Sequence, residues 1–235
     1  MRNLILTGLL AIIVLAGCES KEEPYFREIA YYFNDKLQGW TGVISDYPQG
    51  EEDSSDFEFG LKKLPLPLDT SLYAVKISSN NQQGGLFTYM FAPVSSLASN
   101  ATYSITFNIQ LASNISTSTI AGPEGSPNIA IGAGALDTVP VNVLDDTNWY
   151  RPNFEVKLQN KESTEVMQVL GNLGVTDGTT AYTAIGRNNY ANPIKVKSNN
   201  EGKIYLLIGW DSGYKGVTAI YIKTVIVRLE YLKEP

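Results

Sequence analysis

The chain has 235 residues, with 18 basic against 24 acidic side chains, a formal charge of −6 and no histidine. Phosphate backbones need a basic face, so this balance argues against nucleic acid as a partner. Without histidine, and with one cysteine in all, at position 18, Ser-His and Cys-His nucleophile pairs, His- or Cys-based zinc sites and an internal disulfide are excluded.

The first element in chain order is a leader. Arg2 precedes the apolar run Leu4 to Leu15, which ends in Leu15-Ala16-Gly17-Cys18. A charged start, a short apolar stretch and small residues before a cleavage point read as a secretory signal over 1–17. The run is too short to span a bilayer, which takes ~20 residues. Leu15-Ala16-Gly17-Cys18 resembles the lipobox of bacterial lipoproteins. That resemblance implies that Cys18 becomes the acylated N-terminus of the mature chain, with ~0.8 kcal/mol of membrane affinity per buried methylene. The bland alternative is an ordinary secretory signal with an incidental cysteine. Residues 18–24 then form the acylated cysteine and a charged tether, Glu19-Ser20-Lys21-Glu22-Glu23-Pro24. This acidic stretch also resembles the surface-export signal of Bacteroidetes lipoproteins, and Glu19 after the cysteine fits outer-membrane sorting. The expected location is the outer membrane, lipid-anchored and facing the cell exterior.

From Tyr25 onward nearly every segment has strand character, so 25–235 reads as one domain. Ile29 to Phe33 is β-branched and aromatic; Phe57 to Phe59 and Tyr73 to Ser78 alternate; Leu86 to Phe91 follows Gly84-Gly85. Val94 to Leu97 has room for one helical turn. The cleanest period-two signal is Tyr103, Ile105, Phe107, Ile109 and Leu111 against Ser104, Thr106, Asn108 and Gln110. Ser113 to Pro127 reads as a long loop. Later strands are predicted at Asn128 to Ala133, Asn153 to Leu158, Glu165 to Leu170, Ile194 to Lys197, Lys203 to Trp210 and Val217 to Leu229, with Gly, Asn, Ser, Pro and Asp clusters between them. In the last strand Ile220 and Ile222 share one phase and Val225, Val227 and Leu229 the other, as a β-bulge near Lys223-Thr224 would produce. Many short strands without helices predict an all-β fold, an antiparallel two-sheet sandwich.

The order of signals resembles a group of bacterial lipoproteins with a jelly-roll, galactose-binding-like domain and, more distantly, sandwich-type carbohydrate-binding modules. The residues that carry this are Phe33-Asn34-Asp35-Lys36-Leu37-Gln38-Gly39-Trp40, Thr41 to Pro48, Ile77 to Asn81, Leu86 to Tyr89 and Gly209-Trp210-Asp211-Ser212-Gly213-Tyr214. The resemblance implies a jelly roll. It also implies a structural calcium site, for which Asn34 and Asp35 are the candidate early ligands. Tyr221-Ile222-Lys223-Thr224 departs from the acidic pattern expected at the other end, and a lysine there repels a cation, so calcium is disfavoured and no cofactor is expected.

The remaining candidates are loop side chains. Glu51-x-Asp53-x-x-Asp56 stands one residue away from the Glu-x-Asp-x-x-Glu strand motif of one sandwich-fold glycosidase family, chemistry that needs two carboxylates ~5–5.5 Å apart; its bland reading is an exposed acidic loop. Asp145 to Asn148 reads as a turn, or as hydroxyl ligands beside Trp149 and Tyr150. Asp211 to Gly213 reads as a tight turn, with Gly213 or Gly216 at positive φ. Trp40 and Trp210 continue apolar phases and read as core. Trp149, Tyr150, Tyr190 and Tyr214 are the candidate stacking rings, and Arg187 with Asn188-Asn189, beside Tyr190, a candidate polar cluster, whose alternative is a turn after Ile185-Gly186. Asp137-Thr138-Val139 resembles an O-glycosylation acceptor. The leading expectation is a non-catalytic module for a glycan or other extracellular ligand. The alternatives are an assembly subunit of a surface complex, and a hydrolase working through a carboxylate pair.

Overall fold

Residues whose side chains alternate between water and a core can satisfy their backbone groups only by pairing sideways, and this chain does so along its length. The computed structural model describes residues 26–116, 128–175, 181–211 and 213–233. The expected leader, Cys18, the expected tether and most of the Ser113–Pro127 segment lie outside them. The strands are β1 (Phe26–Tyr32), β2 (Thr41–Ser45), β3 (Tyr47–Pro48), β4 (Glu58–Lys63), β5 (Tyr73–Asn81), β6 (Phe87–Val94), β7 (Thr102–Ser113), β8 (Ile115–Ser116) and β9 (Ala130–Leu136). They continue with β10 (Asn142–Leu144), β11 (Trp149–Pro152), β12 (Met167–Asn172), β13 (Gly174–Val175), β14 (Thr183–Asn188), β15 (Ile194–Lys197), β16 (Ile204–Asp211) and β17 (Gly216–Leu232).

Two antiparallel sheets face each other. In the first, the long strands β7 and β17 form the spine. Strands β14 and β15 share the outer edge of β7, β5 and β1 share that of β17, and β4 borders β5. The second sheet runs β12-β9-β16-β6-β2. The chain crosses between the sheets repeatedly, directly at β1–β2, β5–β6, β6–β7, β15–β16 and β16–β17 and again between β7 and β9 and between β12 and β14. This is an antiparallel jelly-roll sandwich in one domain. A three-stranded ribbon, β10-β11-β3, extends from the β2 side, and β8 and β13 form a short parallel pair.

The core fills the space between the sheets. Ile105, Phe107, Ile109 and Leu111 of β7 and Ile220, Ile222, Val225, Val227 and Leu229 of β17 meet Met90, Ile131, Ala133, Leu206 and Ile208 from the second sheet. Trp40 and Trp210 lie in it, and Tyr31 meets the Trp40 ring edge-on at 5.3 Å. At ~25 cal/mol per Å² of apolar area removed from water, this layer supplies the main drive to fold. The bulge expected in the last strand is present: the β17–β7 register shifts between Ile222 and Thr224, which lets one 17-residue strand keep its apolar residues inward on both sides of the bend. Gly216, where β17 begins, has φ +139°.

Three expectations differ from the structure. Asn153 to Leu158 is no strand; it is an irregular segment ending in a 3-10 turn (Leu158–Asn160), and its alternating apolar residues pack onto a sheet from outside. Val94 to Leu97 forms no helical turn, because β6 runs through Val94. Ile185-Gly186 is not followed by a turn but lies within β14, paired to Leu111 and Gln110.

Candidate functional site

The two outer faces of the sandwich differ. On the second sheet Phe87, Tyr89, Leu207, Ala130, Leu136 and Met167 point away from the main core and form a second apolar cluster. Phe87 and Tyr89 stack at 4.8 Å, and Phe154 stands edge-on over both. Leu158, 1% exposed, presses on Gly132, where an added Cβ would lie 2.8 Å from its methyl. At Gly134 a Cβ would lie 2.5 Å from the Val166 carbonyl. The 153–166 strap therefore closes this face, and the glycines let it lie flat. Burial pushes the Tyr89 hydroxyl above its ordinary pKa, and that hydroxyl has no hydrogen-bond partner among the described residues.

The β10-β11-β3 ribbon carries Trp149 and Tyr150. The Arg151 guanidinium lies over the Trp149 ring at 4.6 Å, donates to Asp46 at 2.9 Å and reaches Asp145 at 3.2 Å. Asp145 also accepts from the Thr147 hydroxyl and from the Thr147 and Trp149 amides, which caps the turn and holds its carboxylate well below the usual range. Asp46, at φ +62°, is pushed up by burial, against the pull of Arg151. Tyr47 and Tyr150 pack at 5.3 Å. These charged and aromatic groups are engaged with one another, so the cluster braces the ribbon.

The outer face of the first sheet is covered at one end, where Leu64, Leu68 and Tyr182 pack on Ala74, Ala112 and Tyr221, and is open over the rest of β7 and β17. The polar phase of β7, Ser104, Thr106, Asn108 and Gln110, lies along its middle, with Glu230, Arg228, Ile226 and Thr224 of β17 opposite. Beyond β17, β1 contributes Phe26, Glu28, Ala30 and Tyr32; on the other side Asn188 and Gly186 of β14 pair with Asn108 and Gln110. Exposed rings flank this lane: Phe26 is 52% exposed, Tyr32 53% and Tyr190 57%. A groove in it is lined by Ser104, Thr106, Tyr190, Pro193, Arg228 and Glu230.

The Tyr190 wall is positioned by Asn189. Strands β14 and β15 both pair with β7 but leave a gap at Thr106 and Phe107. The buried Asn189 side chain fills it, accepting from the Phe107 amide at 2.6 Å and donating to the Ile105 carbonyl at 3.1 Å. An amide side chain thus substitutes for the missing strand residue and leaves Tyr190 standing over the groove.

The other sequence candidates fall elsewhere. Arg187, next to Asn188, faces away from the lane and donates to the carbonyls of Asn172 at 2.7 Å and Gly174 at 3.4 Å, with desolvation lowering its pKa. Tyr214 is half-buried against the main core, and its carbonyl accepts from Asn81 at 2.8 Å. Asn34 accepts from the Lys223 ammonium, which also donates to the Tyr73 carbonyl at 2.9 Å. An internal cation thus sits on that oxygen. Among the described residues no three acidic side chains converge as a metal cluster. Glu51, Asp53 and Asp56 lie on and beside the 3-10 turn Glu52–Ser55, not alternating on a strand; Gln83 donates to Glu51 at 2.8 Å and Asn80 to Asp56 at 3.2 Å. Of the six ligand-binding candidates, only Asn188 and Tyr190 share the open lane. Sequence reasoning missed Thr106, Asn108 and Gln110, whose signal was the polar half of the β7 alternation, and Arg228 and Tyr32, which join the lane only through the pairing of β17 and β1.

No protein family matches the chain, and no curated protein does. Among solved structures, the K1 cleaved adhesin domain of Lys-gingipain from Porphyromonas gingivalis W83 is similar at 9% identity and TM-score 0.41, over 86% of this chain and 97% of that one. A carbohydrate-binding module of the β-sandwich superfamily is similar at 12% identity and TM-score 0.41, over 90% and 75%. A module described for specific mannan recognition is similar at 10% identity and TM-score 0.39, over 89% and 99%. With each of these TM-scores below 0.5, it is the sheet order and register above that define the fold.

Proposed function

We propose that this protein is a non-catalytic glycan-binding module that works through the outer face of its first sheet, carried on the bacterial outer membrane by a lipid on Cys18 and facing outward. One observation carries the binding reading. The side chains of Ser104, Thr106, Asn108, Gln110, Arg228 and Glu230 make no hydrogen bond or ion pair among the described residues, yet they lie together between the exposed rings of Tyr32 and Tyr190, with Phe26 beneath the Arg228 guanidinium. Sugars present hydroxyls at their edges and C–H groups on their faces, and this lane offers donors, acceptors and ring surfaces for both. The Cys18 anchor rests on the lipobox resemblance; incorporation of labelled fatty acid that is lost in Cys18→Ala, together with protease accessibility on whole cells, tests it.

Binding is tested by affinity electrophoresis in gels containing soluble polysaccharides. Tyr190→Ala is expected to weaken retardation about tenfold, equivalent to about 1.4 kcal/mol, while shifting stability by less than about 0.5 kcal/mol, as an exposed side chain should. Failure of every polysaccharide to retard the wild-type protein would refute the reading.

A second reading, a subunit of a surface assembly, is favoured by one feature: Val139, Val141, Val143 and Leu144 are exposed along the free edge of the ribbon. Unchanged monomeric sedimentation at high protein concentration would count against self-association through that edge.

A further inference from the structure

Resting on the glycan-binding reading, we infer that the groove selects an uncharged sugar and holds two neighbouring hydroxyls between Arg228 and Glu230. Thr106 pairs across the ladder with Arg228, and Ser104 with Glu230. These four side chains therefore stand at the corners of a rectangle ~4.8 Å across the strands and ~7 Å along them, about the breadth of one sugar ring. Tyr190 and Pro193 wall its β15 side.

The chemistry at the corners is complementary. Arg228 can only donate and an ionised Glu230 can only accept, whereas a hydroxyl does both. Two adjacent hydroxyls can accept from the guanidinium and donate to the carboxylate, each a charge-assisted bond. Arg228 is oriented for this: its guanidinium lies over the exposed Phe26 ring at 4.4 Å, and it makes no ion pair with Glu28, its cross-strand neighbour on β1. The ring fixes the plane and leaves the N–H edge free.

The same arrangement disfavours charged ligands. Facing the groove are Arg228 and, from β15, Lys195 opposite Ser104; against them stand Glu230 and, from β1, Glu28. The signs balance locally, on a chain that carries −6 overall. A uronic acid polymer would bring carboxylates beside Glu28 and Glu230, and an amino sugar polymer would bring ammonium groups beside Arg228 and Lys195. Such like-charge contacts oppose binding. An uncharged polyol uses both signs and meets neither penalty.

The test compares gels containing neutral galactan, mannan, xylan or β-glucan with gels containing polygalacturonate or alginate, at low and high salt. At least one neutral polymer is expected to retard the protein, equally at both salt concentrations, and neither acidic polymer should. Arg228→Gln and Glu230→Gln are each expected to weaken that retardation about tenfold; thermal unfolding should be unchanged in Glu230→Gln, whose side chain makes no bond among the described residues, and slightly lowered in Arg228→Gln, which gives up the contact with the Phe26 ring. Retardation by an acidic polymer equal to or stronger than by the neutral ones would overturn the inference and leave glycan binding standing. Neutral-polymer binding that ignores both substitutions, but is lost in Tyr190→Ala, would overturn the assigned grip alone. Retardation by no polymer would remove the inference together with the reading beneath it.

Discussion

The two outer faces of this sandwich show how similar strand chemistry yields opposite surfaces. On the second sheet both faces are apolar, so the outward one needs a cover, which the 153–166 strap provides with Phe154, Val156 and Leu158. On the first sheet the outward face of β7 is Ser104, Thr106, Asn108 and Gln110, which water or a ligand can satisfy, and chain packs on this face where it turns apolar, at Ala112, Ala74 and Tyr221 under Leu64, Leu68 and Tyr182. The lesson is that an apolar outer face draws chain onto itself, whereas a polar one stays available. The ribbon makes the same point: Arg151 lies on the Trp149 ring and is itself held by Asp46 and Asp145, whereas Arg228 on the Phe26 ring has no carboxylate partner among the described residues.

The largest expected effect separates cover from platform. Leu158→Ala removes the strap's deepest anchor, and the cavity beside Gly132 should cost about 2–5 kcal/mol in urea unfolding, with polysaccharide retardation unchanged at temperatures where the variant is folded. Asn189→Ala acts on the open face. It leaves the Phe107 amide and the Ile105 carbonyl without their side-chain partners and should cost about 1–3 kcal/mol, while also weakening retardation because Tyr190 loses its support. A loss of stability without a loss of binding would break the proposed link between Asn189 and the groove wall. Tyr89→Phe deletes a buried hydroxyl that has no partner among the described residues; stability should rise by about 1 kcal/mol, and a fall would show that the hydroxyl is satisfied in solution.

The smallest effect is a difference in slope. Asp145 has a folded pKa below its unfolded one, because the Thr147 hydroxyl, the Trp149 and Thr147 amides and Arg151 all favour the carboxylate. Its contribution is complete above the unfolded value, about 3.9, and is lost as pH falls through the folded one. Urea unfolding of wild type should therefore weaken more steeply between about pH 4 and pH 2 than that of Asp145→Asn, which keeps the amide bonds but not the charge. Parallel curves would show that Arg151 and the turn amides do not discriminate between the two protonation states.

Much of the architecture could be read from period-two alternation. β7, β15, β16 and the bulge of β17 follow from residue phase alone, since a strand's side chains leave it no other way to bury one set. The same rule misled at Asn153 to Leu158, where Phe154, Val156 and Leu158 alternate because they plug an apolar face from outside. β2 and β14 were overlooked because they are short and carry Gly42 and Gly186 where apolar side chains would mark a phase. The open lane was half visible: the polar phase of β7 was plain, but pattern shows which way residues point and not whether another segment covers them. Arg228 could not be placed there from sequence, since its position depends on the β17 register after the bulge.

The pairing of the first strand with the last has a mechanical consequence. Any pull delivered through the N-terminus enters the domain at Phe26 and runs into β1, which is zipped antiparallel to β17 from Phe26–Glu230 through Tyr32–Thr224. Tension along the axis of β1 loads those rungs together in shear instead of peeling them one after another. The grip on a ligand would sit on β17 and β7, the next two strands across, so force would pass between tether and cargo through a few adjacent backbones.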